Sequence, residues 1–302
     1  MGNVSAVRPL HIGVLVGATK FDTGPHFFLD LILERFRNFG HSISLIAPKT
    51  RIPSDLDAGI LHVAATRVPE EIVARMPRGL PVINCRVLDI SKRRVSRMLV
   101  AENDPVQGPV IVKSDANFAG RNDFARLGRV RRRLRILTQR LRGGSSRADS
   151  IPYEIYESVS KVPRHVWSSR ERVVERFIPE LEGELYCLRK WVFLGDVDLQ
   201  VISRSSQPII KASNARHAFI HDPIHPELVA ERNRLGFDYG KFDYVMHNGR
   251  PVLLDANSTP GISARSPQLV QSADELASSL QRWVWARVKG DRPITVVQCE
   301  HA

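Results

Sequence analysis

Near the end of the chain two apolar runs, FDYVM and PVLLD, flank His247-Asn248-Gly249 within the stretch from Gly240 to Gly261. Apolar runs on either side of Asn-Gly read as a β-hairpin. Acidic side chains stand where a hairpin core would be apolar: Asp243 in the first strand, Asp255 and Asn257 closing the second. Asp255 and Asn257 are two apart and share a face. Where Asp243 points depends on the turn. A two-residue Asn248-Gly249 loop pairs Asp243 with Leu254 and sends Asp255 to the opposite face. A three-residue loop, His247 to Gly249 with Gly249 left-handed, puts Asp243 and Asp255 on one face. We take the second, because two carboxylates and an amide oxygen on one face suit a hard cation such as Mg²⁺. The bland alternative is a solvated hairpin face with ordinary acidic residues.

The rest of the chain sets this hairpin in an α/β context. His11 to Gly17 is a strand, and Phe28, Leu31, Ile32, Phe36 and Phe39 follow helical spacing up to Gly40. Strands at 42–47, 59–64 and 82–85, with a short helix at 69–76, complete a small doubly wound parallel unit ending near Leu88. Its first turn is not a GxGxxG fingerprint, so no dinucleotide site is read there. The 302 residues, 43% of them hydrophobic, suffice for a sizeable core divided into lobes. No apolar run has the length of a membrane span, and HIGVLVGA reads as a buried strand and not as a signal peptide. Cys85, Cys187 and Cys299 are odd in number and far apart, which suggests a reducing, cytoplasmic setting.

The net charge of +12 favours anionic ligands. Much of it is local: Ala125 to Arg147 holds nine arginines and no acid, with leucines at helical spacing. That stretch reads as a basic amphipathic helix, whose bland role is a solvated face and whose functional role is contact with nucleic acid or another anionic surface. The bland role is favoured. His217, His221 and His225 are spaced by four, but Asp222-Pro223 breaks any helix through them, so a zinc site is not read there.

The order of the remaining motifs resembles the ATP-grasp superfamily, nearest in DANSTPG to the D-alanine–D-alanine ligase branch. In that order come Lys92 at a helix start, Lys113 ending the strand GPVIVK, the segment RVVERFIPELEGE, Lys211 in SQPIIKASN, and then Asp243, Asp255 and Asn257. The resemblance implies an N-terminal doubly wound parallel sheet (1–90) followed by a two-lobed ATP-grasp fold. Its central lobe would span 91–174 with a basic insertion at 125–147, and its C-terminal lobe 175–302. It implies ATP and Mg²⁺ as cofactors, with two ions and Mn²⁺ able to substitute. Lys92, Lys113 and Lys211 would grip the phosphates. Val173, Val174, Phe177 and Ile178 would wall the adenine, with backbone from Glu175 through Arg176 to Ile178 reading its edge, and Glu184, or else Glu182, would accept from the ribose. Lys241, where the branch has arginine, would neutralise the transferring phosphoryl group, and Asp243, Asp255 and Asn257 would hold the metal. Gly261, Ser263, Arg265 and Ser266 would hold the amine substrate. Asp255 is a departure, since glutamate is commoner there, and Phe118 intrudes in a loop the family keeps rich in glycine and serine. The implied function is an ATP-dependent carboxylate–amine or carboxylate–thiol ligase working through an acyl phosphate on small-molecule or peptide substrates, with a homodimer allowed. The alternatives are an ATP-binding protein without turnover that uses its basic helix, and phosphoryl transfer to a hydroxyl.

Overall fold

The computed structural model describes residues 8–126, 152–262 and 266–288. Three sheets organise them. The first is wholly parallel, with β1 (His11–Leu15), β2 (Ser42–Ile46), β3 (Ala58–Leu61) and β4 (Val82–Ile83) in the order β2-β1-β3-β4. Its inner strands are buried almost throughout, as continuous apolar runs in a covered parallel sheet should be. The short α1 (Thr19–Asp22), α2 (Phe28–Asn38) and α3 (Glu70–Val73) connect them. Phe28, Leu31, Ile32 and Phe36 form the buried stripe of α2, the helical spacing read from the sequence.

After α4 (Lys92–Val95) a small antiparallel sheet follows, order β6-β5-β7, from β5 (Val110–Ser114), β6 (Glu154–Tyr156) and β7 (Arg172–Arg176). Alternation along β5 sends Val110 and Val112 into a core with Val159, Val166 and Val174, under α6 (Arg164–Trp167). Val174 therefore faces away from the cleft and is not the adenine wall the sequence suggested. The opposite face carries Ile111, Lys113 and Glu175. Helix α5 (Arg121–Arg126) follows β5, and most of the predicted basic helix lies outside the described residues.

The third sheet is antiparallel, order β11-β10-β9-β12-β13, with β8 (Glu180–Glu182) also pairing β9. Its strands are β9 (Leu185–Leu194), β10 (Val197–Ser205), β11 (Arg216–Ile220), β12 (Tyr239–His247) and β13 (Arg250–Asn257). One face packs Trp191, Phe193, Phe242 and Leu253 beneath Leu228 and Leu235 of α7 (Pro226–Leu235). Phe193 and Phe242 meet edge to face at 5.1 Å, the arrangement aromatic quadrupoles favour. The His225 side chain caps α7 by accepting from the Glu227 amide, and Gly236 ends the helix at φ 75°. That histidine thus has a structural task. The sheet's other face joins Val192, Leu194 and Tyr239 to the first lobe's core through α8 (Pro267–Val288). Helix α8 starts at Pro267, and Ser266 caps it by accepting from the Leu269 amide at 3.2 Å.

The hairpin turn corrects the sequence reading. His247 pairs with Arg250, so the loop is Asn248-Gly249 alone, with φ of 51° and 75°. Positive φ at both central residues is the type I′ geometry that Asn-Gly favours. On its own this register would have separated the two acids. A β-bulge between Asp243 and Tyr244 leaves Leu254 unpaired, so that Asp243 falls opposite Asp255. The two acids share a face through the bulge and not through the turn.

Candidate active-site cleft

Between the small sheet and the polar face of the large sheet lies a cleft of about 560 Å³. The register of β12 and β13 builds its floor: Asp243 opposes Asp255, and Lys241 opposes Asn257. Gly240 just precedes them, where a Cβ would come within 2.6 Å of the Phe237 ring and 2.9 Å of the Asn257 carbonyl oxygen. Only glycine fits there without displacing the strand end.

The acids are already paired with lysines. Lys92, 1% exposed at the start of α4, reaches Asp255 at 3.2 Å. Burial alone would lower the pKa of its ammonium, yet the Asp255 carboxylate, helped by Glu175, holds it well above the ordinary lysine value. Lys241 lies 3.0 Å from Asp243. Lys113 donates to Glu175 at 2.6 Å across the small sheet, and among the described residues the second Glu175 oxygen is buried without a hydrogen-bond partner. The Asn257 amide oxygen accepts from the Thr259 amide at 2.9 Å and from Asn117 at 3.5 Å.

The cleft brings together Lys92, Lys113, Arg176, Phe177, Ile178, Lys211, Lys241, Asp243, Asp255 and Asn257, all singled out in the sequence. Its apolar end adds Ile111, Pro179, Leu188, Ile209, Val245 and the bulged Leu254, a slot able to take a flat ring. Val173 is buried but does not line it. Glu184 stands exposed in the turn between β8 and β9, outside the lining, so the ribose role does not fall to it. Gly261 bridges Phe27, and the Ile262 amide donates to the His26 carbonyl at 2.8 Å, stitching this turn to the first lobe. Ser266 is occupied as the cap of α8. Ser263 and Arg265 lie outside the described residues.

Sequence reasoning missed Lys190, Tyr153 and Arg121, which also line the cleft. Lys190 pairs across β9 and β12 with Asp243. Burial pushes its ammonium pKa down, partly offset by Asp243 and reinforced by Lys241. Among the described residues it has no ion-pair partner. The only sequence signal was a lysine in phase with the buried positions Val192 and Leu194.

Seven cationic side chains thus line the cleft against two carboxylates, a balance that calls for a polyanion. Two facing carboxylates and an amide oxygen are hard donors that fit Mg²⁺. No group of three or more His, Cys, Asp and Glu suited to a metal occurs among the described residues. An ion here would therefore share its coordination with oxygens of a bound phosphate and water. Among the described residues no helix is long and apolar enough to cross a membrane.

No family model and no curated protein matches the chain. Solved structures do match in fold. A RimK domain ATP-grasp protein from Sphaerobacter thermophilus DSM 20745 is 18% identical with TM-score 0.50, over 90% of this chain and 99% of that one. The macrocyclase MdnC from Microcystis aeruginosa MRC, bound with precursor peptide MdnA, is 12% identical with TM-score 0.51, over 90% and 100%. The ATP-grasp ligase PsnB, complexed with a minimal precursor, is 14% identical with TM-score 0.50, over 90% and 98%.

Proposed function

From the ATP-grasp fold that this chain has, we propose that it is an ATP- and Mg²⁺-dependent ligase joining a carboxylate to an amine or thiol through an acyl phosphate. The observation that carries this reading is the cross-strand pair Asp243 and Asp255, set in one cleft with Lys92 and Lys113. The adenine would enter the apolar end between Phe177, Ile178, Leu188 and Leu254, its edge read by backbone from Glu175 to Ile178. Lys92, Lys113 and Lys211 would offset the phosphate charge, and Asp243, Asp255 and Asn257 would hold Mg²⁺. When bound, the ion supplies charge neutralisation and a template for the phosphate oxygens.

Lys241 stands beside Asp243, where charge on the transferring phosphoryl group needs offsetting. A substrate carboxylate oxygen attacks the γ-phosphorus, the β–γ bridging bond breaks, and ADP leaves. The amine or thiol then attacks the acyl carbon, phosphate departs with the C–O bond electrons, and the nucleophile's proton goes to phosphate or solvent. Lys190 is placed to hold an anionic oxygen of the substrate beside Asp243. Catalysis rests on positioning and electrostatics, and no protein nucleophile is needed. The turn at Gly261, with Ser263 and Arg265, would carry the second substrate. MdnC and PsnB are each solved with precursor peptides, which makes peptide carboxylates the first substrates to try.

The test is hydroxylamine trapping with Mg²⁺-ATP and a panel of peptide and amino-acid carboxylates. An acyl phosphate yields a hydroxamate in step with ADP. Nucleotide binding without ADP formation from any member would point instead to an ATP-binding protein without turnover. A phosphorylated alcohol would point to phosphoryl transfer to a hydroxyl.

A further inference from the structure

We propose that Tyr153 is a phosphate-gripping residue of this cleft, its phenol hydroxyl donating a hydrogen bond to the nucleotide's phosphate chain. The inference rests on the nucleotide-binding part of the reading above and adds a contact that reading does not contain. The register places it. β5 and β6 pair Val110 with Tyr156, Ile111 with Ile155 and Val112 with Glu154. Continuing by one residue sets Tyr153 opposite Lys113, on the face that also carries Ile111 and Ile155. On the other side of β5, Glu175 holds the Lys113 ammonium. Lys113 thus has a carboxylate beside it on β7, and Tyr153 stands opposite it one residue before β6.

Tyr153 lines the cleft together with Lys92, Lys113, Asp243 and Asp255. Its electrostatic neighbours are Lys92 and Asp255 foremost, then Glu175 and Asp243, so groups from both sheets bear on it. A phenol has an ordinary pKa of about 10, so its hydroxyl carries a proton to donate at neutral pH. Among the described residues its hydroxyl has no hydrogen-bond partner. A neutral donor in a cleft that also holds Lys92 and Lys113 complements a triphosphate in a way a further ammonium could not, because it adds a directed bond without another buried charge to desolvate. The ring alone could serve as an apolar wall, and the test separates the two roles.

The experiment measures binding of Mg²⁺-ATP and of adenosine to the full chain and to Tyr153→Phe and Tyr153→Leu, with thermal melts of each. Loss of a hydrogen bond to a charged group predicts a roughly ten- to hundredfold weaker Mg²⁺-ATP affinity in Y153F. Adenosine affinity and melting temperature should be unchanged, since the ring remains. Equal Mg²⁺-ATP affinity in Y153F and the unsubstituted protein overturns the proposal, and loss only in Y153L makes Tyr153 a wall. If the unsubstituted protein binds no Mg²⁺-ATP, the nucleotide reading falls and this inference with it. If it binds and Y153F matches it, only this inference falls.

Discussion

Lys113 and Glu175 are both nearly inaccessible, at 6% and 1% exposure, and lie 2.6 Å apart. A buried ion pair adds little net stability over an apolar pair of the same shape, but removing one partner strands the other charge. Glu175→Ala should therefore destabilise the protein by about 3–5 kcal/mol, whereas Lys113→Met with Glu175→Leu should recover most of that loss. Urea titrations of the three proteins, compared by midpoint at constant slope, check this. The double variant should also lose nucleotide affinity, because the ammonium is gone. Equal destabilisation by single and double substitution would mean that packing, not charge, dominates at this position. The same scale shows what a sequence can tell. Lys113 was legible because it ends an apolar strand inside a recognisable series. Lys190 was not, because a lysine within a strand means nothing until β9 and β12 are paired and Asp243 stands opposite it. Glu184 misled for the converse reason: its neighbours matched a pattern, but the β8–β9 turn carries it into solvent.

The hairpin shows how an element can reach an anticipated result by an unanticipated route. The strands and their acids were readable from alternation, but the three-residue turn taken from the sequence gave way to the two-residue Asn248-Gly249 loop. The bulge at Leu254 carries no mark in the sequence, because any residue can be the unpaired one when the partner strand and neighbouring core demand it. This makes the bulge the element's decisive feature. Deleting Leu254 would remove the unpaired residue and let the ladder run regularly with Asp243 still opposite Asp255 and Tyr244 still opposite Leu253, so the two acids keep their shared face. The outcome should be retained Mn²⁺ or Mg²⁺ binding with weaker adenosine binding, since the acids stay together while the apolar wall that Leu254 gives the cleft is gone. Leu254→Ala keeps the residue count and with it the register, so metal binding should survive while the apolar wall is trimmed. Mn²⁺ titration followed by electron paramagnetic resonance should give similar affinities for the two. Loss of metal affinity in the deletion variant would show that the local twist of the bulge, and not the facing of the acids alone, sets the metal site.

At the scale of the whole molecule, the question is what holds the first lobe against the large sheet so that one cleft has fixed walls. An apolar core common to both, including Phe28 of α2, Leu280 of α8 and Tyr239 of β12, supplies the bulk of the adhesion. Orientation comes from a polar contact. Asn84, fully buried, donates through its side-chain amide to the Tyr239 carbonyl at 2.8 Å. Its amide oxygen accepts from the Asp238 and Tyr239 amides at 3.0 and 3.1 Å. Its own backbone N–H donates to the Asp238 carboxylate at 3.0 Å. These partners lie more than 150 residues away in sequence, which is why strand–helix alternation revealed the lobe but nothing revealed its docking. Asn84 sits at φ 62°, a conformation asparagine tolerates better than most residues. Two substitutions separate the contributions. Asn84→Gly removes the side-chain bonds while accommodating the backbone, and should cost about 2–4 kcal/mol for the buried groups left unsatisfied. Asn84→Ala adds the left-handed penalty of about 1 kcal/mol. Both should weaken Mg²⁺-ATP binding less than they weaken binding of the second substrate, because the nucleotide cleft lies between the small and large sheets and the Gly261 turn bridges to the first lobe. Calorimetric melts and titrations of each ligand provide the comparison. Equal losses for both ligands would mean that the first lobe's docking shapes the nucleotide cleft as well.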